Sequence, residues 1–127
     1  MTFSSSGPID DLSHCHCSQC RRLHGAAFAT FAGIGASSFR VESGEEYLGT
    51  YASSEHSERV FCRHCSSMIL VRTEQEPDAL YLSMSALSEY PEPPEAYHAW
   101  VASKAAWHEI TDELPQFDAE PPADALR

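Results

Sequence analysis

Apolar residues along this chain come in short runs separated by turn-forming residues. Ala26 to Ala32 alternates Phe28, Thr30 and Ala32 against Ala27, Ala29 and Phe31. It predicts a buried strand, although its alanines would serve equally in a helix. Ser38 to Glu42, with Phe39 and Val41 on one face, and Tyr47 to Ala52, punctuated by Gly44 and Gly49, predict further strands. Arg59-Val60-Phe61, Met68-Ile69-Leu70-Val71 and, past the break at Pro77-Asp78, Ala79 to Met84 extend the series. Arg21 to Gly25 reads as a helical turn closed by glycine. Ala96 to Ile110 fits either a helical face carrying Ala96, Trp100 and Trp107 or a strand with a turn at Ser103-Lys104. Many short strands separated by turns predict a mainly β domain.

The pattern fits one domain over residues 1–127. Residues 1–11, serine-rich with Gly7-Pro8, read as an irregular lead-in. Glu89 to Glu95 reads as a proline-rich connector that cannot be helical through its centre. Residues 119–127 read as a loosely attached tail. A chain of 127 residues has one modest core and gains disproportionately from a metal staple.

Charge narrows the function. Nineteen acidic residues against eight basic ones give a formal charge of -11. That field repels nucleic acid and anionic membranes, and no basic cluster offsets it beyond Arg21-Arg22. No apolar run approaches the roughly 20 residues that cross a bilayer. Met1 to Asp11 lacks the basic start and apolar middle of a signal peptide, so the cytoplasm is the expected compartment.

The five cysteines are an odd number, and a reducing compartment argues against a disulfide framework. Their clusters, Cys15-His16-Cys17-Ser18-Gln19-Cys20 and Cys62-Arg63-His64-Cys65, read instead as zinc ligands, of one ion or two. Cys15 and Cys17 share a face if the segment is extended, and a turn after Cys17 can bring Cys20 to the same ion. Three thiolates leave a fourth tetrahedral position open, as zinc chemistry on a substrate requires. Cys62 and Cys65 form an ordinary half-site. They can close a single structural zinc with the upstream thiolates, or bind a second ion with His14, His16, His56, His64, a carboxylate or water.

Other polar residues add candidates. His24, just past Cys20, can orient a ligand or move a proton at the metal, or be a surface histidine. Arg21 and Arg22 can attract an acidic substrate. His98 and His108 read as partly exposed sheet or loop residues. The aromatics Phe28, Phe31, Phe61, Trp100 and Trp107 read as core.

The segments Ser13 to Ala26, Phe61 to Ser67 and Lys104 to Ile110, followed by Leu114-Pro115-Gln116-Phe117, resemble the glutathione-dependent formaldehyde-activating enzyme family, whose domain is shared with centromere protein V. The resemblance spans about residues 12 to 118. It implies a mainly β, zinc-containing Mss4-like domain of the β-tent type, built of short antiparallel strands. It further implies a reactive zinc on Cys15, Cys17 and Cys20 beside a ligand cleft, and a structural zinc on Cys62 and Cys65 completed by an earlier C-x-C. The implied activity is that of a carbon-sulfur lyase, joining glutathione and formaldehyde reversibly into S-hydroxymethylglutathione. The chain departs from the pattern in two places: no C-x-C precedes Cys15, and Ser66 replaces a common glycine. Two alternatives remain: a zinc-stapled interaction module without turnover, and a same-fold enzyme acting on another small carbonyl or thiol adduct.

Overall fold

Regular structure in this chain is almost entirely extended, as the short apolar runs require. The computed structural model describes residues 1–122. Its strands are β1 (Thr2–Ser5), β2 (Asp11–Cys15), β3 (Ala29–Gly35), β4 (Phe39–Ser43), β5 (Leu48–Ala52), β6 (Ser57–Cys62), β7 (Met68–Thr73), β8 (Ala79–Ser83) and β9 (Tyr97–Ala99). One α-helix, α1 (Ser18–His24), interrupts them. No helix among the described residues is long and apolar enough to cross a membrane.

A seven-stranded sheet runs in the order β5-β6-β7-β8-β3-β2-β9, and β1 pairs with β4 in a separate two-stranded sheet. Strand β3 lies between β8 and β2 and is buried along most of its length. Its Ala32 together with Ile34, Val60, Ile69, Leu70, Leu80 and Leu82 forms the main core, joined by Ile9 and Cys62. Gly33 is required by close approach: a Cβ there would stand 2.9 Å from the Cβ of Asp11 on the neighbouring strand.

The domain is mainly β with a mixed sheet, which corrects the expectation of antiparallel strands only. Strand β9 runs parallel to β2. The chain leaves β8 on one side of β3 and must cross both β3 and β2 to reach the far edge. A tight turn cannot make that crossing, and the proline-rich connector does.

Local sequence misplaced several boundaries. The strand expected over 26–32 begins at Ala29, because residues 25 and 26 close the helix. Gly25 adopts the left-handed conformation, and the N–H groups of Gly25 and Ala26 both return to the Arg21 carbonyl. The lead-in read as irregular contains β1, whose Phe3 ring packs 5.4 Å from Phe39. Its serines hid a strand that only the pairing with β4 specifies. The ambiguous segment after residue 96 is strand β9 followed by a 3-10 turn over Val101–Ser103. In the tail, Ala119 is tied down through its carbonyl, which accepts from the Trp100 N–H at 3.3 Å. Residues 123–127 of that reading lie outside the described residues.

Two readings of aromatic and histidine residues are corrected. Trp107 is 74% exposed and Trp100 38%, so neither belongs to the core. His98 is fully buried rather than partly exposed.

Ser66 stands at φ 66°, in a turn where its N–H reaches the Cys62 carbonyl at 2.7 Å. A non-glycine residue is strained in this conformation. Ser66→Gly is therefore expected to raise the free energy of unfolding by about 0.5–1 kcal/mol, after allowing for glycine's extra unfolded-state entropy. Urea denaturation checks this; a lower midpoint at unchanged slope would mean the turn holds no such strain.

Candidate metal centre

The C-x-C-x-x-C segment straddles a strand end and a helix start. Cys15 is the last residue of β2, in register with Ala29 of β3 and Ala99 of β9. Cys17 is the N-cap of α1, and its sulfur accepts from the Cys20 backbone N–H at 3.3 Å. Cys20 lies one turn into the helix and is 3% exposed. The change from strand to helix brings all three sulfurs within 4.8 Å of one another. They can coordinate a metal ion.

The triad rests on an apolar floor. Cys20, Ala29 and Phe31 form a buried cluster, with Val71 and Tyr81 packed against it. Such a floor limits water and strengthens electrostatics at the site. The thiols also interact among themselves. Hydrogen bonds from Cys15 and Cys20 hold Cys17 far below the usual thiol range, and the same sharing, with burial, pushes Cys15 up.

Arg59 on β6 escaped the sequence reading. It is 6% exposed, and its Nη2 lies 3.4 Å from the Cys20 sulfur and 3.5 Å from Gln19 Oε1. Its guanidinium also sits 5.9 Å from the centroid of the Phe31 ring. The Nε and Nη1 atoms are buried without a hydrogen-bond partner. A buried cation needs negative charge beside it, and a cluster of thiolates supplies that charge. Zinc fits this donor set: three sulfurs suit a soft divalent ion, and the resulting net single negative charge is offset by Arg59. The only sequence signal was an arginine three residues before a cysteine motif, which reads as an ordinary exposed strand position.

His24 ends α1 with its ring edge-on to Phe31 at 5.4 Å between centroids. Its Nε2 is buried without a partner. Burial, then the charge of Arg59, pushes its pKa down, while Cys17 opposes the shift. His24 also lines a cleft of about 450 Å³ with Leu23, Cys62, His64, Cys65 and Met68. It belongs both to the surroundings of the triad and to this cleft. Arg21 directs its Nε–H at the His16 carbonyl, 3.2 Å away, while Arg22 stands exposed on the helix.

The second cysteine pair does not join the first. Cys62 is buried in the main core, whereas Cys20 belongs to the smaller cluster. Cys65 is exposed, with its sulfur 3.1 Å from Ser67 Oγ. Among the described residues, Cys15, Cys17 and Cys20 are the one group of three or more histidine, cysteine or acidic side chains within mutual ligand reach. In this structure the two motifs lie apart, with Cys62 and Cys65 held by a different turn. Neither do His14, His16, His56 or His64 gather around that pair to complete a second site.

The family model for glutathione-dependent formaldehyde-activating enzymes matches residues 1–103. The chain belongs to this family. A Halomonas elongata protein named for glutathione-dependent formaldehyde activation is 30% identical over 104 residues, covering 77% of this chain and 66% of that protein. An uncharacterized lyase of Schizosaccharomyces pombe is 38% identical over 58 residues, covering 46% of this chain and 40% of its own length. The chain thus spans two thirds or less of these curated relatives. A solved Rhodobacter sphaeroides protein superposes with a TM-score of 0.58 at 25% identity, over 70% of this chain and 81% of that one. The family match takes in both cysteine motifs and Arg59, and stops short of the segment from Lys104 onward.

Proposed function

We propose that the chain is a zinc-dependent carbon-sulfur lyase that reversibly joins formaldehyde to glutathione, or a similar small thiol, to give the S-hydroxymethyl adduct. The observation that carries this reading is a trio of sulfurs, Cys15, Cys17 and Cys20, without a fourth protein ligand among the described residues. When bound, zinc would supply Lewis acidity to the thiol or the aldehyde oxygen.

In the reaction a carbon-sulfur bond forms between the thiol sulfur and the carbonyl carbon, and the thiol proton ends on the carbonyl oxygen. The chain's own residues would serve this addition in distinct ways. Cys15, Cys17 and Cys20 hold the ion. Arg59, donating to Cys20, would withdraw part of the charge that the three thiolates give the ion. His24, close enough to Cys17 to feel its charge, would orient the incoming group or carry its proton. Arg22, exposed on α1, offers a positive charge to an acidic thiol such as glutathione. The cleft that His24 lines has room for a small peptide.

Zinc-loaded protein incubated with formaldehyde and glutathione is expected to form the adduct faster than the uncatalysed reaction, followed by proton NMR. Cys17→Ser should return the rate to background. Equal rates with both proteins, at the uncatalysed level, would remove the enzyme reading and leave a metal-stapled interaction module.

A further inference from the structure

Next to the cysteines lies a second cluster that the metal reading does not use. Successive residues of an extended segment face opposite ways. Cys15 and Cys17 therefore share one face, and His14 and His16 share the other. On that second face the rings of His14, His16, His98 and His108 gather around Phe28, with centroids 4.9 to 5.9 Å from it. His16 and His98 are essentially inaccessible to solvent.

Within the cluster the polar atoms form a chain. His16 Nε2 lies 2.8 Å from His98 Nδ1. His98 Nε2 lies 3.0 and 3.1 Å from the two carboxylate oxygens of Asp112. A carboxylate can only accept, so His98 carries its hydrogen on Nε2 and accepts at Nδ1 from the Nε2–H of His16. Asp112 is itself fixed, because its Oδ1 also accepts from the Leu114 N–H at 3.0 Å. The segment beyond it is laced to β9: the His98 N–H reaches the Pro115 carbonyl at 2.8 Å, and the Phe117 N–H reaches the His98 carbonyl at 2.9 Å.

The residue at the end of this chain is the one between two metal-binding cysteines. His16 is held from three directions. Its N–H donates to the Ala99 carbonyl at 2.9 Å, its carbonyl accepts from Arg21 Nε at 3.2 Å, and its ring is bound to His98. A buried imidazole left without its partner carries a desolvation cost, so the ring keeps its place only while the chain is intact.

We infer that the Asp112–His98–His16 chain is a positioning device for the metal-binding loop, fixing the backbone between Cys15 and Cys17 so that the sulfurs are preorganised for the ion. The inference rests on the reading of Cys15, Cys17 and Cys20 as ligands. It goes beyond that reading, since none of the three residues touches the ion and Asp112 lies outside the part of the chain matched to the family. Groups that orient a metal's ligands without binding it commonly set its affinity by about 10–100-fold.

Asp112 is the residue to change, because its side chain is 46% exposed whereas His98 and His16 are buried. Zinc affinity is measured by competition with a chromophoric chelator, and the cobalt(II)-substituted protein is compared by visible absorption. Asp112→Ala is expected to weaken zinc about 10–100-fold and to shift or broaden the cobalt bands. Asp112→Asn, which keeps an acceptor for His98, should recover most of both. The thermal midpoint of the metal-free protein controls for folding. Unchanged zinc affinity and cobalt spectrum in Asp112→Ala would overturn the inference. So would an affinity loss matched by lost metal-free stability with an unaltered cobalt spectrum, since the chain would then only brace the fold. Wild-type protein that binds no zinc would overturn the ligand reading first, before any variant is made.

Discussion

Cys20→Ser is expected to lose most of the triad's zinc through gel filtration at micromolar protein. Cys20 is buried on the Phe31 floor, and its sulfur lies within 4.8 Å of both partners. A serine hydroxyl stays protonated at neutral pH and is a poor zinc ligand, so two thiolates remain to hold the ion. Ligand sets of this kind carry a binding free energy on the order of 10 kcal/mol, and removing one of three strong donors lowers affinity on the order of a hundredfold or more. Adduct formation should fall to the uncatalysed rate with it. Cys65→Ser is the matched control: Cys65 is exposed and lies outside the triad, so its variant should keep the triad's zinc. Elemental analysis after gel filtration reads both. Equal zinc loss in the two variants would mean that the motifs share one ion, against the separation described above.

The second large effect is expected at Arg59. Among the described residues its guanidinium is one of very few buried charges, and it donates to the sulfur of Cys20. Arg59→Met removes the cation and keeps much of the side-chain volume. The negative centre beside it then loses its compensating charge. Removing one partner of a buried charge pair costs about 3–5 kcal/mol, and the partly exposed Cys15 and Cys17 reduce that here to about 1–3 kcal/mol. Zinc should therefore bind roughly 5- to 150-fold more weakly by chelator competition. Arg59→Lys keeps the charge without the planar fork and should fall between the two. Unaltered zinc affinity in Arg59→Met would show that the guanidinium serves packing against Phe31 and Gln19 rather than the metal centre.

These expectations differ in how far the sequence alone supports them. Strands β4 to β8 were legible because each carries its own apolar pattern and its own flanking turns. The triad was legible because metal chelation by cysteines is a matter of short spacing, which a strand end and one helical turn satisfy locally. Strands β1 and β2 were obscured, since Thr2–Ser5 and Asp11–Cys15 are mostly polar and gain their extended form from partners. Arg59 was passed over, and His98 read as partly exposed, for a related reason. Each is a polar residue in a strand, and strand residues of this type usually face solvent.

What the sequence by itself determined was a mainly β domain, membership of the formaldehyde-activating family and three cysteines able to share an ion. All of these depend on residues within a few positions of one another, or on a pattern repeated along the chain. Tertiary structure alone decided that Cys62 and Cys65 stand apart from the triad, that Arg59 meets Cys20 from 39 residues away, and that His98 meets His16 from 82 away. Contacts at that separation follow from strand order in the sheet. Strand order is set by the packing of the whole core, which no local run of residues encodes.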